Sequence, residues 1–237
     1  MRELACLFVR PRIDAAQSPL VCTDLWPIVH RERAALVADL KTLPDTSAWD
    51  LPSLCAGWTI RDTLAHMTAT ATTTPPGFVA GLAKARFSFS RFVQAGIARE
   101  RGADAQETLS RFEAAIGSTS APPGPKTSWL GEVIIHAEDI RRPLSIEHDY
   151  DAGALVAVAD FYKNSNTLIG AKSRIADLSL HATEAAWSHG SGARVEGPLL
   201  ALVLAMTGAQ GLPRRPHRGR RGDLALSRLT LAATGGG

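Results

Sequence analysis

The sequence lacks long apolar runs, is poor in cysteine and carries no excess of acid, and each shortage excludes a class of protein. No stretch approaches the roughly 18 uncharged apolar residues of a membrane-spanning helix. The longest, 198–206, covers about two and a half helical turns. Near the N-terminus a short apolar patch is interrupted by Arg10, Arg12 and Asp14, where a signal peptide would continue. A cytoplasmic protein is therefore expected. Three cysteines, Cys6, Cys22 and Cys55, are odd in number, widely spaced and without a C-x-x-C pair, so neither a disulfide framework nor a zinc ribbon is indicated. An excess of base is only nominal. The net charge is +3, but Arg214, Arg215, Arg218, Arg220 and Arg221 supply five of the 26 basic side chains. The remaining 21 stand against 23 acidic ones. That tail has no aromatic interleaving, so the body of the chain does not point to nucleic acid.

What is present is helical periodicity on an ordinary globular composition, 45% hydrophobic and 21% charged over 237 residues. In 24–43, Leu25, Ile28, Val29, Ala35, Leu36 and Leu40 recur at three-to-four-residue spacing, an amphipathic helix stopped by Pro44 and Asp45. After the turn-rich 49–58, Thr59 and Asp62 form a capping-box-like start to a second helix. Helical patterns follow over 77–99 and 105–116, and the Pro- and Ser-rich 118–128 leads to another over 129–142. Short links between such helices predict an antiparallel bundle with four main members over 21–145. Beyond Pro143 the pattern changes to a helix (151–168), alternating strand-like positions around Leu178, Leu180 and Ala182, and an apolar helix to Gly208. The expected architecture is thus mainly α, with a small α+β domain over 146–210. A loose extension (1–20) and an Arg/Gly-rich tail (211–237) are expected to carry little fixed structure.

Chemistry is concentrated on the 129–142 helix. Glu132 and His136 lie four residues apart, one turn apart on one face, on the same stripe as Trp129 and Ile140. A carboxylate turned into a bundle core needs a charged partner or a metal. His66, on the apolar face of the second helix with Ile60, Thr63 and Met67, offers a third donor. Two histidines and one glutamate match the ligand set of catalytic zinc sites. The same residues also suit a bland reading: a satisfied core histidine, and an i,i+4 hydrogen bond worth tenths of a kcal/mol.

The run LPSLCAGWTIRDTLAHM (51–67), followed by GEVIIHAEDIRRPL (131–144), resembles the DinB-like, mycothiol-dependent maleylpyruvate isomerase N-terminal family of actinobacteria. The stretch 182–208 is similar to the small sterol-carrier-protein-like domain that follows it in many members. The resemblance implies a DinB-like four-helix bundle in which His66, Glu132 and His136 hold a divalent metal, with zinc expected although such a ligand set accepts other ions. It also implies a low-molecular-weight thiol, mycothiol or similar, as cosubstrate. Coordinated, such a thiol loses its proton near neutral pH. Added to a small electrophile, it isomerises the partner reversibly or remains attached as in an S-transferase. A non-catalytic metal-dependent binding or regulatory module on the same bundle is the competing reading.

Other residues have narrower expectations. Cys55 reads as a small buried thiol, Trp58 as a core anchor, and Asp62 as a cap or a partner of a ligand. Arg141 and Arg142 suit the C-terminal end of a helix, or hold a carboxylate or the sugar of the thiol. Asp139 is expected to pair with Arg142. His181, on a strand, is structural unless that strand faces the bundle mouth, where it would touch substrate. His30, His148, His189 and His217 have no companions at ligand spacing. The family's Gly-Arg pair at the end of the last helix, whose arginine would face the active site, is Gly208–Ala209 here. That departure favours S-transfer over isomerisation and leaves the metal–thiol reading intact. The electrophile and the oligomeric state are not legible.

Overall fold

The computed structural model describes residues 24–43, 46–166 and 169–208. The expectations for 1–20 and 211–237 lie outside the described residues. Helix α1 (Trp26–Lys41) begins with a proline in its first turn and buries Val29, Leu36, Val37 and Leu40. It also buries Glu32 and Arg33, each 2% exposed, and this is tolerable only because both are partnered. Arg33 Nη1 donates to the carbonyls of Ala115, Ile116 and Ser118 (3.3, 3.4 and 2.9 Å), while Glu32 faces His148 Nε2 at 2.8 Å.

A short 3-10 turn (Ser47–Asp50) and the loop 51–58 lead into helix α2 (Ile60–Thr72). The capping box predicted there is present. Thr59 accepts from the Asp62 N–H (3.1 Å), and the Asp62 carboxylate accepts from the Thr59 N–H (3.0 Å). Asp62 is therefore a cap, and it also pairs with Arg101 at 3.1 Å.

The single helical pattern over 77–99 is broken. Helix α3 (Pro75–Lys84), capped by Thr74, ends at a reversal where Arg86 (φ 55°) and Phe87 (φ 58°) take left-handed backbone conformations. Helix α4 (Phe89–Glu100) then starts on a Ser88 cap. Aromatic packing drives the reversal, with Phe92 edge-on to Phe78 at 5.1 Å. Its ring lies so close to Gly81 that a Cβ there would sit 2.7 Å from Cε2, so α3 can fold back on α4 only at a glycine.

Helix α5 (Ala105–Ala114) starts at an Asp104 cap, and helix α6 (Lys126–Arg141) follows Pro125. Helix α2 packs against α4, α5 and α6, while α1 closes over α5 and α6. Leu64, Met67, Phe112, Leu130, Ile134 and Ile140 fill the space between them. This is the mainly helical architecture expected, with α2 and α6 as neighbours.

Helix α7 (Ala152–Asn164) is capped by Asp151 and packs on α6, where Gly131 lets the Tyr162 ring approach; a Cβ at 131 would meet its hydroxyl at 2.6 Å. After the short α8 (Ala171–Arg174), strand β1 (Leu178–Ala182) is the centre of a three-stranded sheet of order β2-β1-β3. Strand β2 (Ser188–His189) pairs antiparallel, with Leu180 opposite His189. Strand β3 (Ala193–Gly197) pairs parallel, with Leu180 opposite Val195. The apolar α9 (Leu199–Thr207) packs on α7, and its buried Leu202, Val203 and Met206 join the core of the bundle. Among the described residues no helix is long and apolar enough to cross a membrane.

Thr59→Ala removes one half of the capping box and is expected to lower the unfolding free energy by about 1 kcal/mol, read as a lower urea midpoint with an unchanged slope.

Candidate metal centre

The cap at Thr59 sets where α2 begins, and hence which face carries His66. The same register buries Ile60, Thr63, Leu64 and Met67. Across the interface, the i,i+4 spacing on α6 presents Glu132 and His136 together. The ligand atoms of His66, Glu132 and His136 all lie within 4.8 Å of one another. The two imidazoles meet edge-on, ring centres 5.0 Å apart, and the Trp58 indole lies 5.0 Å from His66 and 6.4 Å from His136. Trp58, expected as an anchor, thus packs against both rings.

The electrostatics of the cluster favour a cation. Burial, with the His136 charge beside it, lowers the pKa of His66 to about 3, so its imidazole is neutral and a lone pair is free at physiological pH. Burial raises the pKa of the Glu132 carboxyl, against the opposing pull of His136, Arg33 and the Thr70 hydroxyl. Glu132 Oε1 is shut off from solvent and has no hydrogen-bond partner. An orphaned buried carboxylate oxygen beside two imidazoles is an unfavourable arrangement for the protein alone, and a divalent cation would satisfy it.

His136 is oriented from behind. Its Nδ1 hydrogen bonds with Asp139 Oδ2 at 3.0 Å and lies 3.5 Å from Cys55 Sγ, and the thiol donates to the same carboxylate oxygen at 3.1 Å. Burial lowers the His136 pKa, but the bonds to Asp139 and Cys55 outweigh it and hold the group well above its ordinary value. With Nδ1 engaged, Nε2 is the nitrogen left for an ion.

These contacts correct several expectations. Asp139 pairs with His136 and not with Arg142, whose Nε donates to Glu138 Oε2 at 2.8 Å, one turn back. At i,i+3 the carboxylate lies under the imidazole, and Arg142 reaches i−4 more readily. Cys55 is half-buried and bonded to His136 and Asp139, where a small buried thiol was expected. No periodic pattern places it there: the loop is docked by the Leu54 N–H donating to the Asp139 carbonyl at 3.1 Å. Arg141, read as a charge at a helix C-terminus or as a holder of a carboxylate or the sugar of the thiol, is fully buried. Its Nε donates to Asp39 Oδ2 (2.7 Å) and its Nη1 to the Tyr150 hydroxyl (2.8 Å), which in turn donates to Glu138 (3.0 Å). Its charge therefore fastens α6 to α1. Neither Arg142 nor His181 joins the cluster; His181 Nε2 lies 2.8 Å from the Ser179 hydroxyl on its own strand. Of the remaining histidines, His30 binds the Ser118 carbonyl (3.1 Å) and His148 binds Glu32, while His217 lies outside the described residues.

Access to the cluster runs beside His66. A cavity of about 30 Å³, room for a water molecule, is lined by His66, Thr70, Phe92 and Gly96. It shares Thr73, Phe92, Gly96 and Arg99 with a groove of about 890 Å³ between α3 and α4, which Lys84 and Arg91 also border.

A helical bundle that brings two imidazoles and a carboxylate together from two helices has the layout used by bundle proteins that hold a metal between facing helices. Comparison with known proteins narrows that class. Residues 29–141, which contain all three candidate ligands, match the family described as the mycothiol maleylpyruvate isomerase N-terminal domain, and the resemblance read from the two motifs is borne out. The fold is similar to the crystal structure of a mycothiol-dependent maleylpyruvate isomerase (TM-score 0.54, 15% identity) and to that of a histidine-to-alanine mutant of such an enzyme (0.53, 14%). Each match covers 81% of this chain and 93% of the other. The structural likeness therefore extends past the family match into the α+β part. No curated protein matches the sequence.

Two outcomes are expected of the metal-free protein. Because the folded-state pKa of Glu132 is raised, its ionisation opposes folding increasingly above the ordinary glutamate range. Glu132→Gln should therefore stabilise by on the order of 1–2 kcal/mol at neutral pH, and the gain should shrink as the pH falls toward 4.5; urea unfolding at both ends checks this. Asp39→Ala strands the Arg141 charge and should cost about 3 kcal/mol, measured in the same way.

Proposed function

We propose that the chain is a metal-dependent enzyme that joins a low-molecular-weight thiol, mycothiol or a close analogue, to a small electrophile. The observation that carries this reading is the convergence of His66, Glu132 and His136, with one Glu132 oxygen buried and unpartnered. The family match over 29–141 supplies the thiol. A divalent cation held by these three side chains would supply a Lewis-acidic position at which a bound thiol loses its proton near neutral pH.

The protein's own part is positioning. Asp139 fixes the ring of His136, Trp58 walls one side of the two imidazoles, and Arg33, tied to the end of α5, stands as a buried positive charge near Glu132. The groove beside His66, with Lys84, Arg91 and Arg99 around it, is the approach for the electrophile. Arg99 is paired there with Glu100 (2.7 Å), and Lys84 and Arg91 suit an anionic electrophile, maleylpyruvate among the candidates given the related enzymes. Transfer with retention of the sulfur is the preferred outcome, because Gly208 is followed by alanine and not arginine. Isomerisation through reversible addition is the alternative within the same chemistry. The α+β part, with α9 against the sheet, is read as the sterol-carrier-protein-like module, and the protein as cytoplasmic.

Elemental analysis of untagged protein should find a divalent metal, zinc first. His136→Ala should lose it with helical content unchanged by circular dichroism. The wild type should consume the thiol with a panel of small electrophiles at least about a hundredfold faster than that variant. Metal without turnover across the panel would establish the non-catalytic binding module instead, and unchanged metal in His136→Ala would remove the ligand assignment.

A further inference from the structure

We propose that Cys55, His136 Nδ1 and Asp139 form a second cation site, back to back with the first across the shared imidazole, and that it takes a thiophilic divalent cation such as zinc or cadmium. The three donor atoms already form a compact triangle: Sγ to Nδ1 3.5 Å, Nδ1 to Oδ2 3.0 Å and Sγ to Oδ2 3.1 Å. A tetrahedral zinc, with a sulfur ligand at about 2.3 Å and nitrogen and oxygen ligands at about 2.0–2.1 Å, separates its ligands by roughly 3.3–3.5 Å. The triangle needs to widen by only a few tenths of an ångström on two of its sides.

An independent feature points the same way. Asp139 is 2% exposed, and its second oxygen, Oδ1, is shut off from solvent with no hydrogen-bond partner. The thiol and the imidazole N–H both meet Oδ2 and leave Oδ1 unsatisfied, and a cation held by both carboxylate oxygens would satisfy it. The charges also match: with this site alone filled, thiolate and carboxylate together carry the two negative charges that balance a divalent ion beside a neutral imidazole.

The loop is built to hold the sulfur still. The Cys55 N–H donates to the Ser53 hydroxyl (3.1 Å), the Trp58 N–H donates to the Cys55 carbonyl (3.0 Å), and the Ser53 N–H donates to the Trp58 carbonyl (2.9 Å). Cys55 itself is half-buried, next to exposed Ala56 and Gly57, so the sulfur lies close enough to the surface for an ion to reach it. When this site alone is filled, the S–H and Nδ1–H protons leave to solvent, Nε2 carries the ring's remaining proton, and sulfur–metal and nitrogen–metal bonds replace the two hydrogen bonds to Asp139; when both sites are filled the ring gives up that proton as well and bridges the two cations as an imidazolate. With only the first site filled, the same three groups act as the hydrogen-bonded support of His136. The donor chemistry separates the sites: the first has no sulfur, so a metal–thiolate signal reports the second alone. The inference shares His136 with the proposed function but does not need a metal at His66.

The test is cadmium titration of the reduced, metal-free, full-length protein, following the ultraviolet thiolate-to-cadmium charge-transfer band and the equivalents bound. The wild type should show the band. Cys55→Ser should lose it together with one equivalent of cadmium, and His66→Ala should keep it while losing the other equivalent. Asp139→Asn, which preserves shape, should weaken the band-forming event at least about tenfold. No band in the wild type overturns the site, and so does a band that survives Cys55→Ser, since it would come from Cys6 or Cys22. If His66→Ala changes nothing in the amount bound while the Cys55-dependent band persists, the first site fails and the second stands.

Discussion

The arrangement on which the rest depends is a carboxylate placed where the protein alone does not satisfy it. Glu132 points one oxygen into the interface of α2 and α6 with no hydrogen-bond donor to meet it, beside two imidazoles, one of them held neutral by burial. A soluble bundle gains nothing in stability from this. Leucine at the same position would have served a core better. That the chain retains Glu132 there, with His66 across the interface and a second helical turn carrying His136, is intelligible if a cation completes the set.

Around that feature the buried charges are organised as ties between elements. Arg33 fastens α1 to the end of α5, Arg141 fastens α6 to α1 through Asp39, and His148 returns the segment after α6 to Glu32. Each of these bonds reaches α1, so the place of α1 over α5 and α6 is set by polar anchors as well as by the leucines and isoleucines between them. The Asp139–His136–Cys55 group fastens the loop before α2 to α6, and among the described residues it is the tie that includes a cysteine sulfur.

The α+β part is bound to this frame by packing more than by charge. Gly131 admits the Tyr162 ring, α9 lies on α7, and the buried residues of both join those of the bundle. The left-handed turn at Arg86 and Phe87 shapes the opposite side of the cluster. By folding α3 back over α4 it creates the groove that leads to His66.

Local patterns were enough to read much of this. The Thr59–Asp62 cap, the helical stripes, the Glu132/His136 pair and the candidacy of His66 all follow from spacings of three or four residues, because a helix maps sequence distance directly onto a face. The family was legible as a resemblance, in the two runs 51–67 and 131–144. The break at 85–88 was not legible, since it depends on an aromatic ring resting on Gly81 from another helix. Cys55 and Asp139 were misjudged because their meeting is decided by where a loop docks on α6, 84 residues further along the chain. Arg141 looked like a surface cation at a helix end until the approach of Asp39 and Tyr150 enclosed it. The sequence by itself determined most of the helices, the faces they bury and three candidate donors on two of them. Only the tertiary structure decided which charges are enclosed and which thiol stands behind which imidazole, because those contacts join residues whose separation along the chain carries no period.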